Sequence, residues 1–461
     1  MKTKLAVFFN FFVCNLLLRF VRTRTGVAII KRAAWLDLRV AWNYERLRFV
    51  YSKDLSESQK IKRVRLYYLL TPKKRGISWA CGMESAFRLS ALLDLSKDGK
   101  CDVNEWLKYE YEFLKNNIEW GSGNNHLLLC LVVAHVYGKI KAKDDAFHND
   151  LCREIERQFN PDGSNFEGAT GYHILALSSL FWLKNWLPDD AHIFDRINYI
   201  GAMQFAKLIL EPQNWAWIGD NDSSILGDES SFFSAIKETS LRNGEYFFPD
   251  FSAVVRKAEG YIFSLWGADY KRLGHAGHKH DDWGTVTFAV NEEPLLVDAG
   301  VYSYSWDRES LRSRAAHNVV NVPDVKIIRY HANFRGDSNF EVVTRLSRHG
   351  GECNIYNKKN IIISRKVAWS EDKIKVFDSV KGRARSCWII NSEAWDVKVS
   401  DGRSILVFIS KTSGREIVME LQDVTCVDVS EFFWCPKYFS KSKGKRVTVS
   451  FEKSFSWSIS L

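Results

Sequence analysis

Residues 174–183, Ile174-Leu-Ala-Leu-Ser-Ser-Leu-Phe-Trp-Leu, and residues 284–290, Gly284-Thr-Val-Thr-Phe-Ala-Val, carry two different hydrophobic patterns. In the first segment apolar residues recur at helical spacing, as they also do in Leu127-Leu-Leu-Cys-Leu-Val-Val-Ala. The second segment is a short run rich in Val, Phe and Thr, which is typical of a strand. The pattern changes near residue 250, where Pro249-Asp-Phe marks the join. The sequence therefore predicts a helical N-terminal domain followed by an all-β C-terminal domain.

Composition limits the class of protein. The chain has 461 residues, 46% of them hydrophobic and 26% charged, which excludes a disordered or collagen-like chain and suits two or three domains. The formal net charge of +10 suits a polyanionic partner, whether nucleic acid, anionic lipid or acidic polysaccharide. Because the positive charge is diffuse, we expect no nucleic-acid role. A Lys-rich piece, residues 441–446, is predicted to be a hairpin turn of the β-domain.

The N-terminus leaves two interpretations open. Lys2 and Lys4 precede an apolar run over residues 5–18, as in an export signal or an interfacial membrane anchor. Arg19 and Arg22 then follow where a cleavage site would need small residues, which favours an uncleaved first helix. We expect the cell envelope or periplasm, with the cytoplasm as the alternative, and membrane association through this segment. The sequence leaves the oligomeric state open.

The densest group of chemically versatile side chains lies in the β-domain. His278 and His280 are two residues apart, so on a strand they would point to one face. His280, Asp298 and His317 could together hold a divalent cation, with zinc as the leading candidate. The alternative is a buried hydrogen-bonded network of the same three side chains without a metal.

Three helix starts or turns in the N-terminal half are further candidates. Asn125 and His126 precede an apolar helix, where they could hold an anion, although Asn124 or Asn125 could also be an ordinary N-cap. Tyr172 begins another helix and could act as an acid or a base if cations lowered its pKa. Gly219-Asp-Asn-Asp is an acidic segment for which a simple turn is favoured.

Together and in this order, these segments resemble the heparinase II/III-like polysaccharide lyases. The match is best from His278-Lys-His280 through Asp298-Ala-Gly to Arg312-Ser-Arg-Ala-Ala-His317-Asn318, and it spans roughly residues 75–325. The resemblance implies an incomplete (α/α) toroid followed by an antiparallel β-sandwich. We place an N-terminal helical segment at residues 1–60, the toroid at 61–248 and the β-sandwich at 249–461.

The resemblance also implies roles for individual residues. It implies catalytic roles for Asn125, His126, Tyr172 and His278, substrate binding by Trp79, Glu84, Arg88 and Arg312, and structural zinc on His280, Asp298 and His317. The implied reaction is β-elimination of a uronic-acid-containing acidic polysaccharide, such as a glycosaminoglycan, alginate, a capsule or an O-antigen. Tyr172 or His278 would remove the proton from C5, and Asn125 and His126 would stabilise the charge on the carboxylate. Arg314 departs from the family pattern, in which Thr is common.

Two other functions remain open at this point. A glycoside hydrolase on the same toroid would use Glu167 with Asp220 or Asp222 as its carboxylate pair. A non-catalytic glycan-binding or assembly protein could have kept the fold without the activity.

Overall fold

The computed structural model describes residues 46–71, 79, 81–97, 99, 101–267, 277–304, 307–323, 325–332, 334–400, 402 and 404–461. The apolar run at residues 5–18, most of the predicted 1–60 segment and the proposed membrane association lie outside these ranges. Within them, no helix combines the length and apolar character that crossing a membrane requires.

Helices fill the N-terminal part. The α-helices of the described ranges before the sheet are α1 (Glu57–Leu70), α2 (Gly82–Ser96), α3 (Asn104–Asn116), α4 (Asn125–Tyr137), α5 (His148–Gln158), α6 (Thr170–Trp186), α7 (Tyr199–Leu210) and α8 (Glu229–Glu238). A π-helical turn (Gly138–Ala142) extends α4, and 3-10 turns lie at Arg48–Tyr51 and Ala191–Arg196. Helix α4 packs against α2, α5 and α6, and α4 and α6 are buried over most of their lengths. This central position explains why both helices are apolar around most of their circumference.

Strands fill the C-terminal part, as predicted. They are β1 (Gly244–Phe248), β2 (Ala253–Ala258), β3 (Tyr261–Trp266), β4 (Thr285–Val290), β5 (Glu293–Val297), β6 (Val320–Asn321), β7 (Arg329–Ala332), β8 (Arg335–Asp337), β9 (Glu341–Ser347), β10 (Gly350–Asn357), β11 (Asn360–Trp369), β12 (Lys373–Asn391), β13 (Trp395–Val399), β14 (Ile405–Ser410), β15 (Glu416–Gln422), β16 (Cys426–Trp434) and β17 (Ser442–Ser460). A short helix, α9 (Arg308–Leu311), and a 3-10 turn (Arg314–Ala316) interrupt them.

The strands pair antiparallel in the order β1-β2-β3-β4-β5-β12-β17-β15-β14-β13. Val254 of β2 and Phe408 of β14 stand near opposite ends of this order, yet both belong to one buried apolar cluster. The sheet therefore folds over on itself around a shared core, which makes it a sandwich.

The start of the sheet differs slightly from the prediction. Strand β1 begins at Gly244, so the sheet starts five residues before the predicted boundary at 249. The Lys-rich piece at 441–446 was wrongly predicted to be a hairpin turn. Ser442 begins the 19-residue strand β17, because this segment continues the pairing with β12 and β16.

The first strands of the sheet also form the joint between the domains. The Phe205 ring of α7 packs against Phe251 and Trp266 of the β-domain, with ring centroids 5.0 and 6.1 Å apart. Trp217 donates its indole N–H to the carbonyl of Pro436 at 2.7 Å. These contacts bring the turn at residues 219–223 against the loop that precedes β4.

Candidate active site between the two domains

Asp220 lies at the centre of the site and is fully buried. Its Oδ2 is 3.1 Å from His278 Nδ1 and accepts from Arg308 at 2.6 Å, and its Oδ1 is 3.0 Å from His280 Nε2. Burial alone would raise the pKa of this carboxyl, but Arg308, His278 and His280 hold it well below its usual range. Asp220 is therefore an anion that orients three cationic or imidazole groups.

The predicted strand at His278 and His280 is wrong, because both residues lie in a loop before β4. The two imidazoles converge because the loop wraps around one carboxylate, and the Asp220 amide donates to the His278 carbonyl at 2.8 Å. Gly219 makes this approach possible. It has a φ of +74°, and a Cβ there would lie 2.8 Å from the same carbonyl oxygen.

Tyr172 stacks on His278. Their ring centroids are 3.6 Å apart with an interplanar angle of 21°, and the Tyr172 hydroxyl is 2.8 Å from the Tyr304 hydroxyl. Burial raises the pKa of Tyr172 well above its usual value, and the charges of Asp222 and Asp220 raise it further. The condition that cations lower this pKa is therefore not met, and the phenol holds its proton.

Asn125 and Glu167 form the next part of the site. The Asn125 side-chain amide donates to both carboxylate oxygens of Glu167, at 3.0 and 3.1 Å, and its backbone N–H donates to one of them at 2.8 Å. Glu167 Oε2 in turn lies 3.5 Å from His278 Nε2. Asn124 is the N-cap of α4, since its side chain accepts from the His126 amide at 3.1 Å. Capping by Asn124 leaves the Asn125 side chain available to the site.

His126 lies beside this group and is about one-third exposed. Its Nδ1 is 3.0 Å from Glu119 Oε2. Burial opposes protonation of this imidazole, but the hydrogen bond and charge of Glu119 outweigh burial and raise its pKa. His126 thus offers a partly accessible imidazole next to the first turn of α4.

The three predicted metal ligands come together. One ligand atom from each of His280, Asp298 and His317 lies within 4.8 Å of the others, and all three residues are buried. His317 Nδ1 is 2.8 Å from Asp298 Oδ2. Within the described ranges, His280 Nδ1 and His317 Nε2 are buried without a hydrogen-bond partner. Imidazole nitrogens left in this state fit a cation better than a closed hydrogen-bond network.

Three of the four predicted substrate-binding residues lie in the helical domain. Arg88 is fully buried, pairs with Glu110 at 2.7 Å and lies with its guanidinium 4.7 Å from the Trp79 ring centroid. Glu84 is also buried, and it forms an ion pair with Arg46. In these positions Trp79, Glu84 and Arg88 are buried and contribute to the packing of the helical domain.

Arg312 is buried and lies 3.6 Å from the Tyr330 ring centroid, and it also pairs with Glu309. Arg314, the departure from the family pattern, pairs with buried Asp281 at 2.9 Å. Both arginines therefore hold the loops around the site.

Sequence reasoning missed Arg308 and Tyr304. Arg308 lies on the four-residue helix α9 and reaches Asp220, while its guanidinium carbon is 4.7 Å from the Tyr304 ring centroid. The only sequence signal for them is their position between two recognised motifs, Asp298-Ala-Gly and the run that starts at Arg312.

Comparison with known proteins agrees with this architecture. Residues 253–460 match the family model described as heparinase II/III-like, C-terminal. The chain is similar in fold to heparinase III, with 12% identity and a TM-score of 0.64 over 92% of this chain and 76% of that one. It is also similar to the heparan sulfate lyase HepC from Pedobacter heparinus, with 12% identity and a TM-score of 0.57 over 92% and 77% of the two chains. No curated protein sequence matches.

A third solved structure has the same fold. The chondroitin AC lyase from Streptomyces coelicolor A3, solved with chondroitin sulphate, matches with 10% identity and a TM-score of 0.50 over 92% of this chain and 74% of that one. The predicted resemblance and the predicted fold class, an incomplete (α/α) toroid followed by an antiparallel β-sandwich, are confirmed.

Proposed function

We propose, from the premise that residues 253–460 form a heparinase II/III-like C-terminal domain, that the chain cleaves an acidic polysaccharide by β-elimination. The observation that carries this proposal is the stack of Tyr172 on an imidazole, His278, that is oriented by Asp220. This arrangement supplies one group that can take a proton and one that can give a proton on adjoining rings.

His278 is the proposed base. Because anionic Asp220 accepts from Nδ1–H, the lone pair of the neutral imidazole lies on Nε2. Removal of the proton from C5 of a uronic acid would make His278 an imidazolium, which Asp220 stabilises. The electron pair of the broken C5–H bond forms the C4=C5 double bond as the C4–O4 bond breaks.

Tyr172 is the proposed acid. Its raised pKa keeps the phenol protonated at neutral pH, so it can protonate O4 as the leaving sugar departs. Tyr304, whose hydroxyl is 2.8 Å away, holds the phenol in position.

Asn125 and His126 are the proposed donors to the substrate carboxylate, on which negative charge grows as C5 loses its proton. The Asn125 amide already binds a carboxylate, that of Glu167, so the site accommodates the group that it would have to recognise. A uronate would compete with Glu167 for this amide.

An acidic glycan is the proposed substrate class. The net charge of +10 favours a polyanion. The structural relatives include a heparan sulfate lyase and a chondroitin lyase. A capsule or O-antigen polysaccharide would place the chain in the cell envelope.

The hydrolase alternative fits less well. Hydrolysis needs one protonated carboxyl and one carboxylate on opposite sides of the scissile bond. Asp220 is held ionised by three partners, and Asp222 accepts from the amide and hydroxyl of Ser224 at 2.8 and 2.9 Å. Asp220 therefore cannot serve as the protonated carboxyl of such a pair.

We also propose that His280, Asp298 and His317 hold zinc. Bound zinc would fix the loop before β4, the end of β5 and the segment before β6 relative to one another, which is a structural role. Asp220 would then act as the partner of the zinc ligand His280 as well as of the base.

Ultraviolet absorbance tests the reaction, because elimination leaves an unsaturated sugar and hydrolysis does not. Purified protein would be incubated with heparan sulfate, chondroitin sulfate, alginate and capsular polymers. We expect absorbance to rise on at least one polymer, and His278→Ala to slow that rise by roughly 10²–10⁴-fold. His331→Ala, which removes an exposed imidazole paired with Asp337, is the matched control and should retain the wild-type rate.

Two results would contradict the proposal. New reducing ends without a rise in absorbance would indicate hydrolysis. Polymer binding without any product, unchanged by His278→Ala, would indicate a binding protein.

A further inference from the structure

A second group of imidazoles lies in the helical domain and shares no residue with the site around Asp220. His135 is at the end of α4, His148 begins α5, and His192 lies in the 3-10 turn that follows α6. Asp145 precedes α5, and Asp190 precedes the 3-10 turn. The connection between α4 and α5 and the connection between α6 and α7 thus meet here.

The buried imidazole of His135 and the half-buried imidazole of His148 each use one nitrogen and, within the described part of the chain, leave the other without a hydrogen-bond partner. His135 is fully buried, and its Nε2 lies 3.2 Å from Asp190 Oδ2. The Nε2 of His148 lies 3.3 Å from His192 Nε2. Among the residues that the structure describes, His135 Nδ1 and His148 Nδ1 are buried and have no hydrogen-bond partner. A buried polar atom in this state needs an explanation, such as water or an ion.

We propose that His135, Asp145 and His148 form a second binding site for a divalent transition-metal ion of the zinc class. One ligand atom from each residue lies within 4.8 Å of the others, and His135 Nδ1 is 3.5 Å from Asp145 Oδ1. Two imidazoles and a carboxylate form a ligand set that zinc prefers. Bond lengths of 2.0–2.1 Å place the ligand atoms of tetrahedral zinc roughly 3.4 Å apart, so the site would close by about 1 Å.

The surroundings of the three ligands support this assignment. Asp190 accepts from His135 Nε2–H, which leaves the Nδ1 lone pair facing Asp145, as in the carboxylate–histidine–zinc arrangement. Asp145 is half exposed and can move toward the imidazoles. Its Oδ2 accepts from Lys139 at 2.8 Å, whereas Oδ1 is the oxygen that faces His135.

Metal at this cluster would join the end of α4 to the segment that begins α5. These two elements are connected by the π-helical turn and by residues 143–147, so the ion would close a short loop of the helical domain. Its expected effect is therefore on the stability of the helical domain, independent of the lyase reaction.

Zinc content of the untagged full-length chain tests the proposal. Protein would be stripped with a chelator, reloaded with zinc chloride, dialysed and analysed for metal per chain. We expect Asp145→Asn and His148→Ala each to hold one zinc fewer than the wild type and to lose the zinc-dependent rise of the melting temperature. Asp190→Asn removes the carboxylate that accepts from His135, and it should lower the zinc affinity of this site by roughly 10–100-fold.

Asp337→Asn is the matched control, since Asp337 is an exposed carboxylate paired with the exposed imidazole of His331. It should hold as much zinc as the wild type. The variants should differ from the wild type by one zinc per chain whether or not His280, Asp298 and His317 also bind zinc. The experiment therefore tests the two sites independently. Wild-type zinc content and melting temperature in both Asp145→Asn and His148→Ala would overturn the proposal.

Discussion

The side-chain amide of Asn125 donates to both oxygens of the Glu167 carboxylate, at 3.0 and 3.1 Å, inside the first turn of α4. Glu167 thereby occupies the amide that a uronate carboxylate would need. It also lies 3.5 Å from the Nε2 of His278, so this one carboxylate touches both the proposed anion site and the proposed base.

Glu167→Gln is expected to lower KM for an acidic polymer by a few-fold. The substitution keeps an oxygen for Asn125 but removes a negative charge that repels the substrate carboxylate. Absorbance kinetics over a range of polymer concentrations measure this effect. An unchanged or raised KM would contradict this expectation.

Tyr172→Phe is expected to reduce kcat by roughly 10²–10⁴-fold, because it removes the proposed proton donor. Tyr304→Phe is the comparison, since it removes only the hydroxyl that lies 2.8 Å from the Tyr172 hydroxyl. We expect Tyr304→Phe to retain most of the activity. Equal losses in the two variants would argue against Tyr172 as the acid.

Removal of zinc from His280, Asp298 and His317 is expected to lower the melting temperature. The Asp145→Asn background isolates this group from the second cluster. In that background a chelator should lower the melting temperature and added zinc should restore it. Differential scanning fluorimetry measures both changes. A melting temperature that the chelator leaves unchanged would favour the metal-free hydrogen-bonded network.

Asp378→Asn is expected to destabilise the sandwich by roughly 3–5 kcal/mol, the range for breaking a buried ion pair. Arg365 pairs with both oxygens of Asp378, at 2.7 and 2.8 Å, and both residues are buried. Glu452→Gln, which breaks the exposed pair with Arg383, should change stability by less than about 1 kcal/mol. Denaturant unfolding of the two variants measures the difference, and similar losses would contradict the expectation.

His173 is expected to make the helical domain sensitive to mild acid. It is buried, with Nε2 3.0 Å from the Ala202 carbonyl oxygen, and burial lowers its pKa to about 4. An unfolded His has a pKa of about 6.5, so the unfolded chain binds the extra proton between these values and stability falls as pH falls from about 6.5 to about 4. The free energy of unfolding should fall by up to about 3 kcal/mol at the lower end of this pH range.

His173→Gln should remove this part of the pH dependence, since Gln keeps a donor for Ala202 but does not titrate. Unfolding free energies of wild type and variant at pH 7.5 and 5 measure the effect. Parallel pH profiles for the two proteins would show that His173 contributes nothing to it.

Local pattern was enough to predict a helical domain followed by an all-β domain, whereas the toroid and the sandwich were implied by the family resemblance. Helical spacing before residue 250 and short β-rich runs after it reflect which side chains must be buried in each kind of element, and this requirement is written in the sequence itself. The motifs from His278 to His317 likewise identified the three residues that meet at the predicted zinc site, because each motif lies at the end of an element or in a short loop next to one.

Contacts between the domains could not be predicted in this way. Asp220 appeared to belong to an ordinary acidic turn, and Arg308 was missed. Each acquires its role only when residues 219–223 pack against loops 58 to 88 residues further along the chain.

Tertiary packing also determined the direction in which the pKa of Tyr172 shifts. The sequence left open which charges would surround the phenol, and folding placed it in a buried position beside Asp220 and Asp222. Sequence thus determined the elements and the ligand types, whereas tertiary packing determined the partners of each charged group, since charge interactions depend on distance in space and on burial.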